Sequence, residues 1–224
     1  MTRHRAKPRT HVYIDGFNLY YGCFKHPRPA HWVKYKWLDL ERMCDLLLPK
    51  NQVVAIKYYT ADVVNLPPDN RQSIRQQAYL AALSTLPRVQ IVKGHFLGPM
   101  VKHMQRCDED GNPLGQVVPV LRMEEKGSDV NLAVDLLYDC VRNLYDCAVI
   151  ISNDSDLVRG IRIVRQEYRK PIGIVNPHRG RPSRELSGLA DFRRKLGETL
   201  LSSSQLPLEV QAGTGVMRRP VEWA

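Results

Sequence analysis

Apolar positions along this chain fall into short blocks whose spacing alternates between strand-like and helical. His11 to Asp15 is a brief apolar run ending at an acid, and Gly16-Phe17-Asn18-Leu19-Tyr20 follows it. Its length and content predict a buried strand. Leu38 to Leu48 has helical spacing at Leu40, Met43, Leu46 and Leu47, with Pro49 ending it. Gln52 to Thr60 predicts a second strand. Asp69, after Pro67-Pro68, is placed to cap a helix reaching Leu86, with Ile74, Ala78, Leu80, Ala81 and Leu83 as its apolar stripe. Val89 to Phe96 predicts a third strand. Gly127-Ser128-Asp129 opens a helix that is apolar at Leu132, Ala133, Leu136, Leu137, Cys140 and Val141. Ala148-Val149-Ile150-Ile151 predicts a fourth strand, running straight into Ser152-Asn153-Asp154-Ser155-Asp156. A helix from Asp156 to Tyr168 turns Leu157, Ile161 and Val164 inward and Arg159, Arg162, Arg165 and Arg169 outward, and Pro171 to Val175 predicts a fifth strand.

Three regions break the alternation. Residues 20–38, rich in Tyr, Trp, His, Lys and Pro, read as a loop excursion whose aromatics either pack or stack on bases. Residues 97–125 carry an Asp110-Gly111-Asn112 turn signal and read as a protruding β-hairpin with Val117 to Met123 as its return strand. Residues 208–224 lack periodicity and read as a flexible tail. Strands alternating with helices predict an α/β fold, a mainly parallel sheet between two helical layers. The expected organisation is a basic arm over 1–10, one domain over 11–207 with the hairpin inserted, and the tail.

Composition narrows the picture. The chain has 224 residues, enough for one substantial core. With 33 Lys and Arg against 23 Asp and Glu, its net charge is +10, which favours an anionic partner, chiefly nucleic acid or acidic lipid, unless the charge serves only solubility. The five cysteines are odd in number and form no CxxC pair, so reduced thiols in a cytoplasmic protein are expected. No apolar run approaches the roughly 20 residues of a membrane span. Val12-Tyr13-Ile14 is too short for an export-signal core.

The candidate chemistry lies in acids at strand ends and helix starts. Asp15 ends the first strand, Asp129 opens a helix, and Asp154 and Asp156 follow the fourth strand. If the first and fourth strands are neighbours, all four carboxylates meet at one sheet edge, where α/β proteins bind ligands. Like charges so close do not all stay ionised unless compensated. Hard divalent cations, Mg2+ or Mn2+, supply that compensation. A pair of them about 4 Å apart clamps the attacking and leaving oxygens of a phosphodiester. Asp129 and Asp156 also have an ordinary reading as helix caps or first-turn acids; Asp15 and Asp154, ending apolar strands, are harder to explain that way, though Asp154 is placed to cap the helix after it. Asp135 is set aside, since it lies about 120° round the helix from Asp129. Asn18 is positioned to bond Asp15, to hold a metal-bound water or to cap a loop. Lys126 is poised for a phosphate, for Asp129 or for solvent, and Ser152 for a carboxylate or a phosphate.

Three motifs resemble one family. Tyr13-Ile14-Asp15-Gly16-Phe17-Asn18-Leu19, Glu125-Lys126-Gly127-Ser128-Asp129-Val130 and Ser152-Asn153-Asp154-Ser155-Asp156-Leu157 are similar, in this order, to the NYN domain of the PIN-like nuclease superfamily. Gly94-His95-Phe96 is also typical, and Asn153 stands where many members carry glycine. The resemblance spans about His11 to Pro207. It implies a Rossmann-like three-layer α/β/α sandwich and a Mg2+- or Mn2+-dependent ribonuclease. Asp15, Asn18, Asp129, Asp154 and Asp156 match the active-site positions, all but Asn18 as metal ligands. Lys126, Ser152, Arg179, Arg181 and Arg184 are then expected to meet RNA, with no membrane partner and a homodimer left open. The alternative is a catalytically weak RNA-binding or regulatory module of the same fold. A nucleotide-cofactor enzyme is disfavoured: no GxGxxG follows the first strand and no GxxxxGK[ST] occurs.

Overall fold

The computed structural model describes residues 6–25, 30–65, 67, 69–178, 180, 182–213 and 215–224. Its centre is a six-stranded sheet of β1 (Arg9–Asp15), β2 (Gln52–Thr60), β3 (Val89–Lys93), β6 (Cys147–Ile151), β7 (Ile172–Asn176) and β8 (Phe192–Lys195). Strand order is β3-β2-β1-β6-β7-β8, and every neighbouring pair is parallel. The chain steps outward from β1 through β2 to β3, then returns to β1's other side and steps outward again. The direction reverses between β1 and β6, so the crevice beyond their carboxyl ends is the switch point where such folds bind ligands.

Helices cover both faces, as a parallel sheet requires. On one side, α2 (Leu40–Leu47), α3 (Gln72–Leu83) and α7 (Glu198–Ser203) bury Met43, Leu83 and Leu201 against Val12 and Ile14. On the other, α4 (Ser128–Val141), α5 (Val158–Gln166) and α6 (Arg184–Leu189) bury Leu132, Leu136, Ile161 and Leu186 against Tyr13 and Ile150. β6 is buried at every position, which explains why it reads as a continuous apolar run without alternation. This is the PIN-like three-layer sandwich that the motifs imply.

Several expectations shift. The third strand stops at Lys93: Gly94 breaks away, and Phe96 belongs to β4 (His95–Cys107), which pairs antiparallel with β5 (Pro113–Lys126) in the expected hairpin. In its turn, Asp108 accepts from the Asn112 amide and Gly111 sits at φ +87. Asp69 does not cap α3; it accepts from Arg71 N and pairs with Arg75, and the helix starts at Gln72. Ile74 faces solvent, and Tyr79, Leu80, Ala82 and Leu83 form the buried stripe instead.

The stretch expected as an aromatic loop is largely helical, with α1 (Gly16–Tyr20), a π-helical turn (Tyr21–Lys25) and a 3-10 turn (Ala30–Tyr35). Phe24, Trp32, Tyr35 and Trp37 are buried core side chains, unavailable for stacking on bases. Residues 208–224, expected as a tail, carry a short hairpin, β9 (Glu209–Ala212) with β10 (Gly215–Arg218), and Trp223 packs against Trp37 and Tyr79. One anchoring tryptophan and two four-residue strands are too little for any periodicity to register.

The described cysteines are all free thiols. No described helix is long and apolar enough to cross a membrane.

Candidate metal centre

Each arm of the site is placed by a local device. Asp15, the last residue of β1, caps α1: its Oδ1 accepts from the Asn18 amide at 2.8 Å. Its Oδ2 accepts from the Ser152 hydroxyl at 3.0 Å, and Ser152 Oγ in turn accepts from the Asp154 amide at 3.0 Å. One buried serine thus ties the acid of β1 to the acid after β6. Asp154 caps the turn that follows it, accepting from the Asp156 amide at 2.9 Å.

Asp129 enters from α4. Gly127 holds φ +96, a conformation that glycine adopts without a Cβ clash, and the Glu125 carboxylate accepts from Ser128 N at 3.1 Å to close the first turn. Gly94 lets this turn approach the sheet, since a Cβ there would meet Glu125 Oε1 at 2.5 Å and the Lys126 carbonyl at 2.6 Å.

A ligand oxygen from each of Asp15, Asp129 and Asp154 lies within 4.8 Å of the others. Asp156 stands outside this group and is exposed, yet it is near enough to add to the repulsion on Asp129.

Electrostatics mark the trio as under-compensated. Burial is the main cause pushing the Asp129 carboxyl up to about 6, with Asp15, Asp154, Glu125 and Asp156 adding repulsion. Burial also raises Asp15, partly offset by its bonds from Asn18 and Ser152. Three hard oxygen donors converging with surplus negative charge fit a divalent cation such as Mg2+ or Mn2+.

The remaining expected residues divide. Asn18 does not bond Asp15 through its side chain; its Oδ1 accepts from the Asn153 amide at 3.0 Å and from His178 Nε2 at 2.8 Å. It braces the β6 and β7 loops around the acids. Ser152 is fully buried and bonds Asp15, so its hydroxyl serves a carboxylate and not a phosphate. Asn153 adopts ordinary backbone, not the left-handed form, and its Oδ1 accepts from Ser183 N at 2.7 Å, pinning the start of α6. Arg184 is exposed beside that junction. Lys126 is exposed and pairs with Glu124 at 3.3 Å. Arg179 and Arg181 lie outside the described residues. Sequence reasoning gave no role to Glu125 or His178. Glu125 was already inside a quoted motif, and His178 follows β7 at the same sheet edge.

The family profile of the NYN domain matches residues 9–193. The chain belongs to the NYN domain family. Asp15, Asp129 and Asp154 all fall within that span, so the acidic centre sits inside the NYN domain, not in an appendage. The chain is 30% identical over 241 aligned positions to 6-hydroxy-3-succinoylpyridine 3-monooxygenase HspA of Pseudomonas putida, covering 96% of this NYN chain and 75% of that protein. In fold it is similar to a protein of unknown function, VPA0982, from Vibrio parahaemolyticus, with a TM-score of 0.53 and 18% identity over 88% of this chain and 97% of that one.

Proposed function

We propose that this NYN domain is a metal-dependent ribonuclease, an endonuclease hydrolysing RNA phosphodiesters with Mg2+ or Mn2+ held by Asp15, Asp129 and Asp154. The observation that carries the reading is the convergence of those three carboxylates at the β1–β6 switch point of a chain with net charge +10. A positive exterior holds a polyanion, and the acidic crevice holds the cation that makes a phosphate accessible there. When bound, a divalent cation supplies Lewis-acid polarisation of a phosphoryl oxygen. The chain's own residues do the placing. Ser152 and the Asn18 amide aim Asp15 and oppose the effect of its burial, the Asp156 amide aims Asp154, and the α4 N-terminus adds a partial positive charge beside Asp129. His178 and Asn153 hold Asn18 so that the β1, β6 and β7 loops form one rigid rim. Lys126 and Arg184, both exposed on this edge, are assigned to RNA phosphates.

The test is incubation of labelled RNA with wild type, Asp15→Asn and Asp154→Asn, with Mg2+ or Mn2+ and with chelator. Cleavage by wild type alone, abolished by chelator, supports the reading. Equal cleavage by all three proteins, or RNA binding that is indifferent to chelator and never accompanied by cleavage, refutes it; the latter is the behaviour of an RNA-binding module.

A second reading follows from the Pseudomonas relative, which matches almost the whole chain. By that likeness the domain acts on a small pyridine-type molecule, adding one oxygen atom. Incubation with 6-hydroxy-3-succinoylpyridine, a reductant and oxygen, read by oxygen uptake and product mass, separates this from RNA hydrolysis.

A further inference from the structure

A cavity of about 350 Å³ lies on the α3 side of the sheet, and none of Asp15, Asp129 and Asp154 lines it. Gly16 forms part of its wall, and a Cβ there would meet the end of the Tyr58 ring at 2.7 Å. Aromatic faces from Tyr20, Tyr79 and Trp223 line it. Two polar heads in this slot lack a hydrogen-bond or ion-pair partner among the described residues. The Tyr58 side chain is only 8% exposed, yet its hydroxyl has no hydrogen-bond partner among the described residues, while the neighbouring Tyr79 hydroxyl donates to Leu38 O at 2.9 Å. Tyr58 lines the cavity, so a bound acceptor can reach its hydroxyl.

The Lys36 ammonium sits 5.1 Å from the Tyr20 ring and 5.9 Å from the Trp223 ring, with no carboxylate in ion-pair reach among the described residues. Burial depresses its pKa. Arg75, on the same wall, is already paired with Asp69 and Glu222. Gln76 is also spent, its Oε1 accepting from Val63 N and its Nε2 donating to Ala61 O.

We infer that this cavity is a binding site for one flat aromatic ring carrying a negative charge: the ring between the aromatic faces, an acceptor on it against Tyr58, and the anion against Lys36. The volume lies at the small end of ligand pockets, which suits a single ring. The inference rests on these walls and stands apart from the ribonuclease reading. Two sources share this chemistry, a pyrimidine nucleotide and a free aromatic carboxylate.

The experiment is calorimetric titration of the full chain with uridine 5′-monophosphate, with pyridine-3-carboxylate and, as the uncharged control, with pyridine-3-carboxamide. Wild type is expected to bind at least one anion saturably and the amide about tenfold more weakly or not at all. Lys36→Gln is expected to abolish the preference for charge, and Tyr58→Phe, which removes one oxygen, to weaken the anion about tenfold. Which anion binds more tightly identifies the source. Absence of saturable binding by both anions, or unchanged affinity in a Lys36→Gln protein with wild-type melting behaviour, overturns the inference.

Discussion

Helix α4 faces β1 with an acid near each end, and the two acids live in opposite surroundings. Near the C-terminus, Asp139 is 2% exposed and accepts from the Tyr13 hydroxyl at 2.8 Å and from His11 Nδ1 at 3.2 Å, and Lys57 pairs with it at 2.8 Å. Burial alone raises its carboxyl, but the bonds from His11, Lys57 and Tyr13 and the Lys57 charge outweigh it and hold the pKa down at about 2. About 15 Å away along the helix, Asp129 is pushed up to about 6 by burial and by four neighbouring acids, Asp15, Asp154, Glu125 and Asp156. Same strand, same helix, same residue type: what differs is the sign of the company. An acid given cations and donors within the fold is a structural element. One given only acids leaves its charge for something outside the chain to balance.

The comparison breaks most sharply by removing ligands. Asp154→Asn, with its hydrogen-bonding shape retained, is expected to lower metal-dependent RNA cleavage about 100-fold or more, a loss of several kcal/mol of charge stabilisation measured in single-turnover assays. At the other end of the helix, Lys57→Met is expected to leave cleavage chemistry alone but destabilise the fold by about 3 kcal/mol, because Asp139 stays buried with His11 and Tyr13 only. Urea unfolding checks it.

Ser152→Ala removes the hydroxyl between Asp15 and Asp154. It is expected to weaken Mn2+ binding about tenfold, as loss of an orienting partner does. The smallest effect is on stability without cation. Asp129→Asn relieves repulsion and is expected to stabilise the chelator-treated protein by about 1 kcal/mol at neutral pH. The two acids also carry opposite pH signs. Asp139 titrates at about 2 when folded, below its unfolded value of 3.8, so its stabilisation is complete above about pH 4 and is lost as pH falls toward 2. Asp129 is raised when folded, so the unfolded chain gives up its proton first. Stability of the cation-free protein then falls as pH rises from about 4 to 6. Unfolding curves across that range, with and without Mn2+, check both signs.

Much of this was legible in the sequence because it depends on local pattern. β2 spans the residues its apolar run marks, and Asp15, Asp129 and Asp154 announced themselves by ending or opening predicted elements. The neighbourhood of β1 and β6 was a condition of the argument, and the sheet supplies it. What stayed hidden depends on contacts distant in the chain. Asp139 resembles any acid on a helix until His11 and Lys57 are brought to it from two strands. Asn18 looked like a partner for the Asp15 side chain, yet loops near residues 153 and 178 occupy its oxygen. Asp154 and Asp156 look alike in the sequence, but Asp154 caps the 3-10 turn from extended backbone while Asp156 lies exposed within it. Trp37 and Trp223, far apart in sequence, complete one aromatic cluster that no local window contains.

On this reading Asp15, Asp129 and Asp154 hold a divalent cation, and Asp139, although also an acid on α4, does not. Mn2+ titration of chelator-stripped protein, followed by electron paramagnetic resonance, tests it directly. The expected result is saturable Mn2+ binding that Mg2+ displaces, that Asp154→Asn weakens by about tenfold or more, and that Lys57→Met leaves unchanged while the protein remains folded. Mn2+ binding absent from wild type, or equally tight in Asp154→Asn, would contradict it.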